Sequence, residues 1–315
     1  MYGTLTAPLL WYTLFSKTLL DKDFEINPYN NCVANKIMNG HQFTICWYVD
    51  GIKFSHKDKS VVHKKFDKME IVHGNKQTYF GIELQIVDKK VNMSMKQYLQ
   101  DCIEDFPKEI TNLAKMPATK SLTRLSEVPE PLDDHKRKIF HSILQKLLHV
   151  AKQARLDLQV AIGFLCTRAR NPNQDDWRKL KYVLQYIHGT IDLKRILSID
   201  SFIDMNILVD ASHACHDNMR GQTGGCISMG YGVLQARSSK QNLNSKSSTE
   251  TELIGNSNYL TYALWYMYFF HAQGYRTKHC YKTMKARSNS LTMARNPAEN
   301  KLATLTYNIF GYPIG

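Results

Sequence analysis

At 315 residues and 43% hydrophobic content, the chain is long enough for a real core and for two domains. Lysine and arginine number 41 against 28 aspartates and glutamates, a formal +13; this balance favours anionic partners, nucleic acid above all, and leaves the fold open. The seven cysteines are scattered, odd in number and never spaced as CxxC, which excludes a disulfide framework and a ribbon-type zinc site and suits a reducing compartment.

The first predicted element is a helix within residues 1–25, where LLWYTLFSKTLL spaces apolar side chains three to four apart. No basic leader precedes it, its apolar runs are too short for a membrane span, and so is the aromatic run NYLTYALWYMYFF at 258–270. Residues 42–49 and 52–55 read as paired strands around Asp50-Gly51. Asp-Gly suits a two-residue type I′ turn, which needs φ > 0 at both positions. Further strands are expected at QTYFGIELQIV (77–87) and KVNMSM (90–95), then a helix from about Met95 to Phe106. Pro107, Pro117, Pro129 and Pro131 mark 107–135 as a connector.

Three helical segments follow: HKRKIFHSILQKLLHVAKQ, LDLQVAIGFLCTRAR and DDWRKLKYVLQYIHG. The third puts Trp177, Leu180, Leu184 and Ile187 on one side, with Asp175 and Asp176 where a helix N-terminus favours negative charge. The rhythm changes near residue 195. MNILVDAS (205–212) reads as a strand, and GGCISMG and YGVLQAR as two more, joined at Gly230. A long helix then starts in SKSSTETEL, where Ser247–Glu250 and Thr249–Glu252 both have capping-box spacing, and Leu253, Leu260, Leu264 and Met267 continue one face.

Asp210 ends an apolar strand, and Glu252 stands in the first turn of that helix. Carboxylates so placed can share one Mg²⁺, which takes hard oxygen ligands. The alternatives are a surface carboxylate at a strand end for Asp210 and a capping partner for Glu252. A nuclease that uses two metals needs three or four carboxylates, and no third is evident. His213, Cys215 and His216 lack companion ligands at structural-zinc spacing. Ser247-Ser248 read as helix caps and not as nucleophiles. Lys53, Lys57, Lys59, Lys64, Lys65 and Lys68 follow the first hairpin, and Arg220, Arg237, Lys240 and Lys246 fall near the later strand ends. They suit a phosphate backbone or a solvated positive face.

These segments resemble the C-terminal part of a Ty1/copia-type retroelement polyprotein, the end of its reverse transcriptase followed by RNase H. ICWYVDG is similar to the family's YVDD hairpin, QTYFGIEL to its F-LG-E/D strand, and DWRKLKYVLQYIHGT to its "LKR-LRYL-GT" segment. LVDASHACHDNMRGQTGGCISMGYGVLQARSSKQNLNSKSSTETEL is similar to "SDADWA…R-ST-G…G…I-W-SKKQ…SSTEAEY". The resemblance implies a mixed α/β fold: an incomplete reverse-transcriptase palm over 1–110, a linker and helical thumb or connection region over 111–195, a degenerate RNase H-like domain with a mixed sheet and long helix over 196–300, and an unrecognised tail at 301–315. It implies Mg²⁺ as cofactor, an RNA–DNA hybrid or other nucleic acid as partner, no membrane, and an intracellular place, cytoplasmic or nuclear.

The chain departs from the family at the residues that carry chemistry. Gly51 stands where the second aspartate of YVDD belongs, so Asp50 is a remnant of the polymerase site, and the strand with the upstream aspartate is expected to be missing. Asp210 and Glu252 correspond to the family's first RNase H aspartate and its glutamate. In ARSNSLTMARNP (286–297) Ala286 replaces the next aspartate. The expectation is an inactive remnant related to an RNA-directed DNA polymerase and hybrid ribonuclease. The alternatives are a residual Mg²⁺-dependent ribonuclease completed by Glu250 or Asp217, and a nucleic-acid-binding module without catalysis.

Overall fold

The structure, a computed structural model, describes residues 6–48, 51–65, 74–216 and 218–283. Helix α1 (Ala7–Leu20) has proline in its first turn, where the missing N–H costs nothing. Asp23, at φ 58°, then turns the chain into β1 (Glu25–Ile26). Strands β1, β2 (Val33–Met38), β3 (His41–Tyr48) and β4 (Gly51–Ser55) form an antiparallel sheet in chain order. Asn39 and Gly40, at φ 50° and 74°, close the β2–β3 hairpin. Alternation on β3 buries Phe43, Ile45 and Trp47 against Leu19 and Phe24, while Leu9, Leu10 and Leu14 of α1 face outward. Tyr48 pairs with Gly51 and Trp47 with Ile52, so Gly51 is the first residue of β4 and not the second residue of the expected Asp50-Gly51 turn, and its φ is not positive. Val49 and Asp50 lie outside the described residues. A short helix, α2 (Lys59–Lys65), follows.

The expected strand at 77–87 is two strands. Phe80 and Gly81, at φ 58° and 70°, make a tight turn between β5 (Lys76–Tyr79) and β6 (Ile82–Val87). Strand β7 (Lys90–Ser94) pairs with β6, and β8 (Arg195–Leu197) with β7, so the segment at the change of rhythm closes this sheet. Between them run α3 (Lys96–Glu104), the proline-marked connector, α4 (Asp134–Gln153), a 3-10 turn (Leu156–Leu158), α5 (Gln159–Arg168) and α6 (Gln174–Gly189). Asn173 caps α6 in a complete capping box with Asp176. The core of this unit contains Phe140, Leu144 and Leu147 of α4 and Trp177, Leu180, Leu184 and Ile187 of α6, the face expected from the sequence.

The third sheet has the order β11–β10–β9–β12, from β9 (Asp204–Ser212), β10 (Gln222–Ser228), β11 (Gln235–Lys240) and β12 (Lys278–Thr283). β12 runs parallel to β9, and the other pairs are antiparallel. The strand expected at YGVLQAR starts later, at Gln235. Residues 229–234 instead bridge to the segment after β8, where Ser198 N–H donates to Tyr231 O (2.9 Å) and Asp200 N–H to Met229 O (3.1 Å). Gly232, at φ 86°, permits this approach, since a Cβ there would lie 2.0 Å from Ile196 O.

Helix α7 (Ser248–Ala272) covers one face of this sheet and the helical unit packs on part of the other. Its buried residues are Thr251, Gly255, Tyr259 and Ala263. The face expected through Leu253 and Leu260 points outward instead, with Leu253 70% exposed. Small side chains let the helix settle close on the sheet: a Cβ on Gly255 would lie 3.2 Å from that of Ala211, and Tyr259 fills the space over Gly225. The C-terminal half of α7 also receives the first sheet. Trp265 Nε1 donates to Tyr29 O (3.0 Å), and Tyr29 stacks on Tyr268 at 5.3 Å. The whole is a mixed α/β fold with several antiparallel sheets. No described helix is long and apolar enough to cross a membrane.

Candidate functional site

Strand β9 sorts its residues by alternation. Met205, Ile207 and Val209 are buried and pack toward Tyr259 and Ala263, and Ala211 continues this set beneath Gly255. Asp210 belongs to the other set and is half-buried. Register aligns Asp210 with Gly224 and Gly224 with Ser238. One Asp210 carboxylate oxygen accepts the Ala211 N–H at 2.9 Å. Glu252, also half-buried, precedes Gly255 by one helical turn. Asp210 thus stands near the C-terminal end of β9 on the face away from α7, while Glu252 lies on the first turns of α7, over the other face.

A knot of polar side chains pins that end. Ser247 is the N-cap of α7 and accepts Glu250 N–H (3.2 Å), while Glu250 Oε2 accepts Lys246 N–H (2.6 Å). Thr249 lies inside the helix, so the Thr249–Glu252 box expected from the sequence does not form the cap. Gln241 donates to Thr223 Oγ1 and Thr251 O, both at 2.9 Å. A Cβ on Gly221 would meet Gln241 Oε1 at 2.6 Å and Ser212 O at 2.8 Å, so only glycine fits.

The SHACH side chains go to separate partners. His213 Nδ1 meets Ser245 Oγ (3.0 Å) and Thr251 Oγ1 (2.9 Å), which are hydrogen-bonded to each other. His216 Nε2 pairs with Gln222 Oε1 (2.9 Å). The Cys215 thiol donates to Ser212 O (3.8 Å) and Arg220 O (3.9 Å), and burial pushes its pKa up, away from the thiolate that a metal needs.

Among the described residues no group of three or more His, Cys, Asp or Glu is arranged to hold a metal ion. Glu250, weighed as a third ligand, has Oε2 engaged by the helix cap. Asp217, Asp50 and the stretch 286–297 lie outside the described residues. The described donor set therefore does not fit a two-ion clamp, which needs three or four carboxylates around a phosphate.

Of the basic residues, Arg237 stacks over the Tyr262 ring at 5.0 Å, and Lys57 and Lys59 are exposed. Lys240 and Arg168 line a cleft between α5 and the β10–β11 edge. One buried network lies outside the residues expected from the sequence. Arg155 Nη2 and Nε donate to Asp157 (2.8 and 3.0 Å), Tyr186 Oη donates to the same carboxylate (3.0 Å), and Arg155 reaches Thr190 O (3.0 Å). Its signal was an Arg-x-Asp inside an otherwise apolar run.

Comparison with known proteins finds relatives among mobile elements. The chain is 22% identical over 297 residues to the Retrovirus-related Pol polyprotein from transposon TNT 1-94 of Nicotiana tabacum, across 88% of this chain and 22% of that protein. It is 25% identical over 268 residues to the Retrovirus-related Pol polyprotein from transposon RE2 of Arabidopsis thaliana, across 80% of this chain and 18% of that one. It is 23% identical over 251 residues to a transposon Ty5-1 protein of Saccharomyces cerevisiae, across 76% of this chain and 80% of that protein. The chain thus spans about a fifth of the length of the two plant polyproteins. No protein-family model and no solved structure matches it. The similarities establish homology to retrotransposon Pol polyproteins of the Ty1/copia type at the level of the family.

Proposed function

We propose that the chain is a remnant of a retroelement Pol polyprotein, related to its reverse-transcriptase and RNase H parts, that binds nucleic acid and has lost metal-dependent catalysis. The observation that carries this reading is the end of β9, where Asp210 and Glu252 are joined by no third ligand among the described residues. Two-metal cleavage or synthesis needs ions on both sides of a phosphate, and two carboxylates leave that charge uncompensated. The strand order of the third sheet supports the RNase H-like relation: three antiparallel strands, a long helix, then a strand parallel to the first. At the other site Gly51 supplies no ligand, and a Cβ there would already lie 3.3 Å from the Tyr79 ring.

Binding rests on charge. A formal +13 attracts a polyanion, and neutralising phosphates releases counterions, so affinity falls as salt rises. Gel shifts with an RNA–DNA hybrid across a salt series test this. The expected result is binding whose logarithm declines linearly with log salt; absent or salt-insensitive binding would refute it. The presence of one carboxylate near the C-terminal end of β9 and another in the first turns of α7 favours one second reading, a residual Mg²⁺-dependent hybrid ribonuclease. Cleavage abolished by Asp210→Asn would establish it in place of the first.

A further inference from the structure

The sheet face opposite α7 is only partly covered. Leu156 and the Gln159 amide, which donates to Ala236 O at 2.9 Å, dock the helical unit on it near Leu208, Cys226 and Ala236. Toward the Lys240 end the helix and sheet part, leaving a cleft of about 540 Å³. That size suits a small ligand. Val160 and Phe164 of α5, with Leu122, give it an apolar wall, and Gln222 and Ser238 give it polar groups from the strands. Among the described residues no Asp or Glu lines it, whereas Lys240 and Arg168 do. Lys240 has no ion-pair partner among the described residues. Arg168 engages Asp176 through Nε (3.3 Å), and its other guanidinium nitrogens have no protein partner among the described residues.

Register ties the cleft to the candidate site. Ser212, Gln222 and Lys240 form one row across the sheet, and Asp210, Gly224 and Ser238 form the next, on the same face. Ser212 is fully buried, and its hydroxyl has no partner among the described residues. Two cations, an aromatic ring and hydrogen-bonding side chains match a ligand with a phosphate and a flat apolar body. We propose that this cleft binds a nucleoside phosphate, the 5′-phosphorylated terminal nucleotide of a nucleic-acid strand, with the phosphate between Lys240 and Arg168 and the base against Phe164. The strand as source rests on the reading that the chain binds nucleic acid; the cleft's chemistry does not.

Fluorescence anisotropy with a labelled single-stranded oligothymidylate, bearing either a 5′-phosphate or a 5′-hydroxyl, tests this on the full chain. The phosphorylated probe is expected to bind about tenfold tighter, the scale of one charge-assisted contact. A Cβ added at Gly163, which lines the cleft, would lie 4.0 Å from Ser238 O, in ordinary contact, and the residue carries no positive φ, so Gly163→Leu narrows the cleft with a helix-forming residue. Gly163→Leu and Lys240→Glu should each erase the preference with the circular-dichroism spectrum unchanged, while Lys108→Glu, at an exposed site elsewhere, should keep it. Equal affinity for both probes, or a preference that survives both cleft variants, overturns the proposal while hybrid binding leaves the functional reading standing. If no nucleic acid binds, that reading fails, and titration with free thymidine monophosphate decides the cleft alone: binding lost in Gly163→Leu supports its chemistry, and no binding refutes it. Free nucleotide binding tighter than the oligonucleotide would overturn the strand as the source.

Discussion

Helices α6 and α7 are both long, and each lays one face on a core, but they bury different kinds of residue. α6 hides Trp177, Leu180, Leu184 and Ile187, all within 7% exposure. α7 hides Thr251, Gly255 and Ala263 with a single large ring, Tyr259, and leaves Leu253 and Leu260 in solvent. The first helix is held by area removed from water, the second by closeness of approach. A helix seated on small residues comes nearer its sheet, and that brings the turn carrying Glu252 down to the end of β9.

Four substitutions sharpen the contrast, each read as unfolding free energy by urea denaturation. Leu184→Ala should cost the most, about 3 kcal/mol, because a fully buried leucine leaves a cavity. Gly225→Ala should cost about 2 kcal/mol, since the new Cβ would fall 2.5 Å from the Tyr259 ring and something must shift. Ser247→Ala should remove about 1 kcal/mol by freeing the Glu250 N–H from its cap. Leu253→Ser should change stability by less than about 0.5 kcal/mol, as for other surface sites. A Leu253→Ser loss equal to that of Leu184→Ala would break the comparison, because α7 would then be buried through its leucines.

The same contrast explains what could be read from the sequence. Amphipathic spacing made α4 and α6 legible, with the buried face of α6 as expected. It misled on α7, where hydrophobicity pointed to Leu253 and shape decided for Gly255. Asp50-Gly51 marked the right hairpin but put the turn one residue too late, since Gly51 already pairs with Tyr48, and the Asn39-Gly40 hairpin carried a plain signal that went unused. Phe80 has no such signature: a bulky residue at φ 58° is set by tertiary context, so one expected strand became two. For the site, the sequence singled out Asp210 and Glu252, but the His213–Thr251 knot and the cleft depend on residues far apart in the chain, and no local pattern marks them.

The central claim is that two carboxylates cannot assemble the metal clamp of a working nuclease. Incubating the full chain with a labelled RNA–DNA hybrid in Mg²⁺ or Mn²⁺ tests it most directly. The expected result is a hybrid that is bound and left intact over many hours. Multiple-turnover cleavage that disappears with Asp210→Asn or Glu252→Gln would contradict it.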